Sequence, residues 1–191
     1  MPPKARITKE MVIEAGFGIV RSEGDESLNV RRIAAELKCS TQPVMYHYKT
    51  VDELKSDIYA AADEFHTEYI MKSAEDADNT LLSIGLNYIR FAEEEKNLFR
   101  FLFQSDKFQN IGLTEMLEDE GNDFLIPPLA KQTGLTYGQA KTVFETLFIC
   151  VHGYASLLAN NSMEYNEKHC AETLTNVFMS TVGFIMKGEE K

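Results

Sequence analysis

The chain has 191 residues, of which 44% are hydrophobic, so it can bury one sizeable core or carry a small module beside a larger one. Its formal net charge of −11 argues against a nucleic-acid-binding surface spread over the whole molecule. The charge is uneven, because residues 1–55 hold nine Lys and Arg against eight Asp and Glu, while the remaining residues hold 10 and 22. This asymmetry indicates two domains with different roles, although an acidic solvated surface beside a neutral one fits the same counts.

Targeting signals and disulfides are not indicated. The N-terminal residues lack the apolar segment of a secretory signal, and the longest uncharged apolar run, Thr146 to Ala159, is shorter than the roughly 20 residues that span a bilayer. The three cysteines, Cys39, Cys150 and Cys170, are odd in number and widely separated, which favours reduced, packed thiols. We therefore expect a cytoplasmic protein with no membrane partner.

Hydrophobic periodicity predicts helices throughout and almost no strand, so the expected fold class is all-α. A first helix is predicted from about Thr8 to Arg21, with Gly24 suited to its C-terminal side. Asn29 is a plausible N-cap for the second helix. The connection Lys38–Ser40 then leads into a third helix. Ser40 is expected to cap the start of that helix. Pro43 is tolerated there because the first turn has N–H groups without intrahelical acceptors.

Longer helices are predicted for the rest of the chain. Thr50–Glu53 has the capping-box spacing and begins a fourth helix that runs to about Lys72. The remaining predicted segments are helices at 80–95 and over "NLFRFLF", a loop at 104–123, a short helix from Pro127 to Gly134, a long helix opened by the capping box Thr136–Gln139 and ending near Ala159, and a last helix at about 165–186.

The third helix carries the residues that suggest a function. One of its faces is expected to pack on the two preceding helices and holds Thr41, Val44, Met45 and Tyr48. A different face holds hydrogen-bonding side chains able to contact base edges or phosphates, namely Gln42, Tyr46 and Lys49, with His47 at its edge. Two helices joined by a short turn, the second polar outward, form a helix-turn-helix, although any helical hairpin of an all-α protein fits the periodicity equally.

The stretch "SLNVRRIAAELKCSTQPVMYHYKTVDELKSDIY" resembles the DNA-binding segment of TetR-family transcriptional regulators. The matching features are Ile33-Ala34 in the second helix, Ser40 at the start of the recognition helix, and an aromatic-His-Tyr run before Glu53-Leu54. The match is specific across about residues 7–59. Beyond them, the length, the helical pattern and two long terminal helices agree, and "LFICVHGYASLLANNS" is similar to the His-Gly segment of one TetR C-terminal type.

The resemblance implies an N-terminal three-helix helix-turn-helix head, residues 1–52, and a C-terminal helical effector-binding and dimerisation domain, residues 53–191. The chain departs from the family pattern, which commonly has Gly, a small residue, Tyr and Lys at the positions of Lys38, Gln42, Met45 and Val51. That Tyr and Lys typically contact phosphate in the family. We expect Tyr46, Lys49 and the backbone N–H groups at the start of the fourth helix to replace them.

The expected DNA contacts divide into two classes. The residues expected to read bases are Gln42, Tyr46 and His47. The residues expected to hold phosphates are Lys4, Arg6, Asn29, Thr41 and Lys49.

A head of about fifty residues offers few DNA contacts, so a homodimer on two half-sites is expected. The predicted dimer helices are the last two, and the first of them has an apolar stripe of Ala140, Phe144, Leu147, Val151, Ala155 and Leu158. The alternative is that both helices pack on their own chain. The resemblance implies a four-helix dimer bundle.

The resemblance also implies a small-molecule effector pocket, whose candidate residues are Tyr88, Phe91, Phe99, Phe103, Phe124, Phe148 and His152. His152 is the expected polar anchor, although aromatic residues at helical spacing are more often core. We expect the effector to tilt the fourth helix and thereby change the separation of the two heads.

No enzyme is expected, because the four histidines show no metal-ligand spacing and neither a nucleophile motif nor a phosphate-binding glycine loop appears. No cofactor or metal is expected either. The predicted function is a sequence-specific regulator, a repressor, which binds a palindromic double-stranded operator as a homodimer and is released by a small-molecule effector. The alternative is a helical ligand-binding or interaction protein that never touches DNA.

Overall fold

The structure is a computed structural model, and it describes residues 7–72, 79–105 and 125–188. These residues form α-helices and contain no β-strand, which confirms the all-α fold class. A 3₁₀ turn at Asp25–Ser27 joins the first two helices. In chain order the nine helices of the described residues are α1 (Lys9–Glu23), α2 (Val30–Glu36), α3 (Thr41–Met45), α4 (Val51–Met71), α5 (Thr80–Glu94), α6 (Lys96–Phe103), α7 (Ile126–Thr133), α8 (Tyr137–Ala159) and α9 (Glu167–Gly188).

The chain packs as two compact units. The first unit comprises Met1–Glu68 and Glu95–Ser105, and the second comprises Tyr69–Glu94 and Asp106–Lys191. The predicted boundary between residues 52 and 53 is a division by role rather than by packing, and it stays a prediction. In packing terms, most of α4 and all of α6 belong with the N-terminal helices.

The first helix boundaries follow from local chemistry, as predicted. The Thr8 hydroxyl accepts a hydrogen bond from the backbone N–H of Met11 at 3.3 Å and caps α1. Gly24, with φ of 89°, ends α1 and donates its N–H to the carbonyl of Val20. The Asn29 side chain accepts the N–H of Arg32 at 3.0 Å and caps α2.

The third helix is shorter than predicted. It ends at Met45, so the expectation that Tyr48 and Lys49 lie on it was wrong. The reason lies in the helix that follows. The N–H of Lys49 donates to the Glu53 carboxylate at 2.8 Å, and the Thr50 hydroxyl accepts the N–H of Glu53 at 3.1 Å. These bonds commit residues 49 and 50 to the start of α4, so α3 cannot extend into them.

α6 is part of the first unit. Its residues Leu98, Phe99 and Leu102 are fully buried, and the Tyr59 hydroxyl of α4 donates to the carbonyl of Leu102 at 3.1 Å. At the other end of α6, the Asn97 amide donates to the carbonyl of Arg21 at 3.1 Å. These contacts attach α6 to both α1 and α4.

The second unit is built around α8. The predicted capping box is confirmed, because Thr136 accepts the N–H of Gln139 and the Gln139 side chain accepts the N–H of Thr136. α7 ends as predicted at Gly134, which has a left-handed φ of 74°. The core between α7, the start of α8 and the partly buried residues of α9 consists of Ile126, Leu129, Leu135, Ala140, Val143, Phe144 and Leu147.

The apolar stripe of α8, a helix that the sequence made a dimer candidate, is buried inside its own unit. All six of its members, from Ala140 to Leu158, are less than 9% exposed. This stripe packs on its own chain, since periodicity identifies an apolar face but not the neighbour that covers it. The prediction that the last two helices form the dimer stays a prediction. The large apolar side chains that α8 does expose are Tyr137, Ile149 and Leu157.

By length and composition alone, α8 is the one helix in the described ranges that could cross a membrane. A buried core helix passes the same test, and eight α8 residues are buried within the second unit.

Candidate nucleic-acid interface

The turn between α2 and α3 requires a left-handed backbone at Lys38, where φ is 51°. This conformation suits glycine and costs a residue with a side chain on the order of 1 kcal/mol. It gives a physical reason why the TetR pattern commonly has Gly at this position. The turn that follows places Ser40 at the N-cap position of α3, although its side chain makes no capping bond.

α3 and the residues after it have one buried side and one exposed side. Val44 is fully buried and Tyr48 is 7% exposed, so the predicted inward face is confirmed at these two positions. Gln42, Tyr46 and Lys49 are exposed, with Tyr46 at 80%. The separation of apolar and hydrogen-bonding side chains therefore agrees with the pattern read from the sequence.

Thr41 does not belong to the inward face. It is exposed, whereas the sequence predicted that it would pack on the preceding helices. Thr41 is the first of the five residues of α3. Among these five residues, only Val44 is buried. Its hydroxyl is accessible, and its expected phosphate contact stays a prediction.

His47 makes a contact that the sequence did not indicate. Its Nε2 lies 3.0 Å from the carbonyl oxygen of Ile7, which is 40 residues away in the chain. A carbonyl oxygen only accepts, so Nε2 carries the hydrogen and donates it. The His47 ring is half-buried, and the Tyr46 ring meets it edge-on with a centroid distance of 5.7 Å.

The start of α4 is more acidic than a phosphate site would suggest. Asp52 and Glu53 occupy its first turn, and the Glu53 carboxylate already accepts the N–H of Lys49. The position of Val51, where the resembling family has Lys, is 42% exposed. The expected phosphate contacts to backbone N–H groups here therefore compete with an internal carboxylate.

The other predicted phosphate ligands have different surroundings. Asn29 is exposed, but its side chain caps α2 and also donates to the carbonyl of Ser27 at 3.2 Å. Lys4 and Arg6 lie outside the described residues.

On α2, the Arg32 guanidinium pairs with Glu23 and Glu36. Its hydrogen bond to Glu23 is the main reason that the pKa of Arg32 is raised.

Tyr48 is fixed from the α1 side. The Lys9 ammonium lies 5.5 Å from the centre of the Tyr48 ring and forms an ion pair of 2.7 Å with Asp57. Burial raises the pKa of the Tyr48 hydroxyl, and the neighbouring Asp57 raises it further. The buried Tyr48 side chain is therefore held as the neutral phenol.

Three of the seven effector candidates meet in the second unit. The Tyr88 hydroxyl of α5 lies 2.9 Å from Nδ1 of His152, and the Phe148 ring stacks on the His152 ring with a centroid distance of 5.7 Å. Burial lowers the pKa of His152, which favours its neutral form. This aromatic cluster joins α5 to α8.

The other effector candidates lie elsewhere. Phe91 is fully buried and packs edge-on against Tyr69 in the second unit. Phe99 and Phe103 belong to the first unit, and Phe124 lies outside the described residues. The predicted set as a whole is thus divided between separate clusters, and its role in effector binding stays a prediction.

Sequence reasoning missed His66. It is 6% exposed on α4, its ring meets the Phe103 ring edge-on at 5.1 Å, and burial lowers its pKa to about 4. The signal was available, because His66 continues the spacing of Ile58 and Ala62, both fully buried on the same face.

Among the residues that the structure describes, no group of three or more His, Cys, Asp or Glu side chains is placed to hold a metal ion. A scan of the chain against protein-family models and a search of curated proteins give no match.

Proposed function

We propose that the protein is a TetR-type transcriptional regulator, a cytoplasmic homodimer that binds a palindromic operator in double-stranded DNA and represses until a small-molecule effector releases it. The observation that carries the proposal is the α2–turn–α3 geometry. A left-handed turn at Lys38 leads into a short helix that buries Val44 and exposes Gln42 and Tyr46. The proposal includes neither catalysis nor a cofactor.

The exposed side chains have suitable chemistry for reading a duplex. The Gln42 amide carries a donor and an acceptor that match the adenine edge in the major groove. The Tyr46 hydroxyl offers a second hydrogen-bonding group, and the Lys49 ammonium is a point charge for phosphate. All three lie within eight residues, and a recognition helix commonly reaches base edges with three or four side chains.

The proposed dimer is supported by exposed apolar side chains on α8 and α9. Of the eight large hydrophobic residues that are exposed in the described part of the chain, six lie on these two helices. Exposed apolar surface of this kind commonly marks a protein interface. The six are Tyr137, Ile149, Leu157, Met179, Phe184 and Met186.

Glycines within these apolar rows would allow close packing. On α8, Gly153 lies midway between Ile149 and Leu157 at intervals of four residues, and on α9, Gly183 lies between Met179 and Met186. A Cβ at either glycine would meet nothing within 4 Å. Helices of a second copy could therefore approach the backbone closely at both points.

The Tyr88–Phe148–His152 cluster supports an effector contact, since a neutral imidazole and a phenol beside aromatic rings suit a small molecule with few polar groups. The effector must bind one separation of the two heads more tightly than the other. Without that difference in affinity it does not change the populations of the two arrangements.

The test is selection of bound duplexes from a random pool with the full-length protein. A palindromic consensus with half-sites about one helical turn apart is expected for a symmetric dimer. The matched control is Gln42→Ala, which should retain binding but select a more relaxed sequence at one position in each half-site. Recovery of random sequence by the unaltered protein would overturn the proposal.

The second candidate is a helical ligand-binding or interaction protein without DNA binding. It is favoured by the formal charge of −11 and by the acidic first turn of α4, beside the exposed Val51. Duplex affinity measured against salt distinguishes the two, because a DNA-binding head loses affinity steeply as salt rises. A protein that binds no duplex DNA at low salt would be a ligand-binding or interaction protein.

A further inference from the structure

We infer that Lys9 is a positioning residue for the reading segment, residues 41–49, rather than a ligand of DNA phosphate. Its ammonium, held by Asp57, fixes the Tyr48 ring and thereby the exposed side chains that flank Tyr48. The inference rests on the proposed function, since it concerns how the head keeps its base-reading side chains in place.

The second half of the reading segment depends on support from outside. α3 ends at Met45 and α4 begins at Val51, and residues 46–50 between them form turns and bends rather than a helix. Without the regular hydrogen bonds of a helix, such a stretch takes its position from side-chain contacts. Tyr48, which is 7% exposed, is the most buried residue of this stretch. Contacts to its ring therefore decide where the stretch lies.

Lys9 joins α1 and α4 to the Tyr48 ring. It is the first residue of α1, and its ammonium lies over the ring, 5.5 Å from the ring centre. The same ammonium forms an ion pair of 2.7 Å with Asp57 of α4. A cation in this position is attracted by the negative charge of the ring face. The carboxylate thus holds the ammonium in place, and the ammonium in turn holds the ring.

A second contact from the same end of α1 reaches the neighbouring residue of the stretch. His47 donates from Nε2 to the carbonyl of Ile7 at 3.0 Å. Because Ile7 and Lys9 are two residues apart and His47 and Tyr48 are adjacent, the two contacts hold the stretch at neighbouring points. A side chain that reads a base must lie within about 0.5 Å of its productive position. The exposed Tyr46, next to His47, is attached to a backbone held in this way.

The charge of Lys9 is already paired within the protein. Since its ammonium contacts the Asp57 carboxylate at 2.7 Å, a phosphate would have to compete with that carboxylate. Lys49 differs, because it is exposed and Glu53 accepts its backbone N–H rather than its ammonium. Loss of the Lys49 charge should therefore cost a phosphate contact, whereas loss of the Lys9 charge should disturb the geometry of the base-reading side chains.

The experiment compares Lys9→Met, Lys9→Arg and Lys49→Met in the full-length protein. Lys9→Met removes the charge but keeps an unbranched side chain, and Lys9→Arg keeps a cation that can stack on an aromatic ring. Lys49→Met is the matched control, since it makes the same chemical change at the proposed phosphate contact. For each protein, affinities for the selected operator and for a duplex of unrelated sequence are measured against salt.

Lys9→Met should lower the preference for the operator over the unrelated duplex by about fivefold or more, because at least one base contact loses its geometry. Its salt slope should change by less than half as much as that of Lys49→Met, for which one lost phosphate contact lowers the slope by about 0.9. Lys9→Arg should restore the preference. Equal losses of salt slope in the two Met variants, or an undiminished preference in Lys9→Met, would overturn the inference.

The free protein gives a readout that does not depend on DNA. The ring current of Tyr48 should move the proton signals of the Lys9 methylene group next to the ammonium upfield. Tyr48→Leu should return these signals to their ordinary position, whereas Tyr48→Phe, which retains the ring, should leave them upfield. Ordinary shifts in the unaltered protein would contradict the contact. The expected shifts together with no binding of any duplex would instead overturn the proposed function, and the role of Lys9 in base reading with it.

Discussion

Gly16 of α1 lies so close to Ile58 of α4 that a Cβ at residue 16 would overlap the Ile58 side chain. Ile58 is fully buried, so its side chain cannot swing away without displacing other core atoms. The contact brings α1 directly against α4.

Gly16→Ala should therefore destabilise the protein although alanine is the better helix former. Overpacking of a buried site typically costs about 1–3 kcal/mol, which exceeds the gain of roughly 1 kcal/mol in helix propensity. Gly18→Ala is the matched control, because a Cβ there meets nothing within 4 Å on the same helix. Thermal unfolding should show a lower midpoint for the first variant and an equal or higher midpoint for the second. An unchanged midpoint for Gly16→Ala would contradict the packing described.

Buried His66 predicts acid sensitivity. Its pKa falls from the ordinary 6.5 to about 4 in the folded protein, because burial disfavours the charged ring. Between these two pH values the unfolded chain binds a proton that the folded chain does not, so stability falls as the pH is lowered from 6.5 to 4. The loss is on the order of 3 kcal/mol over the whole window.

His66→Leu should remove this part of the pH dependence. Urea unfolding of both proteins between pH 4 and 7 measures it, with the difference in their unfolding free energies expected to change across the window. Parallel curves would show that His66 does not titrate in this way.

Ile149→Glu should dissociate the proposed dimer. A carboxylate in the row with Gly153 and Leu157 would be buried without a partner in a close helix pair, which is strongly unfavourable. Light scattering should give twice the 21.7 kDa of the chain for the unaltered protein and a single chain mass for the variant. Ala60→Glu, exposed on α4, is the control with the same added charge. A variant that keeps the larger mass would rule out this face.

Val51→Lys should strengthen duplex binding. The substitution adds a cation at an exposed position at the start of α4, and one further phosphate contact steepens the salt slope by about 0.9. Ala60→Lys is the matched control, because nine residues place it on the opposite side of the same helix. Equal gains from both substitutions would indicate a general charge effect instead of a local contact.

The sequence predicted those features that depend on near neighbours. The capping box at Thr136, the end of α7 at Gly134 and the Asn29 cap are decided within four residues, and all three were found. The end of α3 was missed because the Glu53 carboxylate accepts the N–H of Lys49. This bond places the residues between the two helices at the start of α4.

Contacts between distant residues could not be predicted. The bond from His47 to Ile7 joins residues 40 apart and leaves no trace in periodicity. Likewise, the sequence showed the apolar stripe of α8. Whether the same chain or a second copy covers that stripe depends on how α5, α7 and α9 pack against α8. Exposure along α8 and α9 now separates the core face from the face available to a partner.

The central claim is that the exposed face of the reading segment contacts DNA, and a comparison of Gln42→Ala with Lys49→Ala on operator and mismatched duplexes tests it most directly. We expect Gln42→Ala to lose about 1–3 kcal/mol on the operator alone, since it removes a base contact. Lys49→Ala should weaken all duplexes alike and lower the salt slope by about 1. Unchanged operator affinity in both variants would contradict the account.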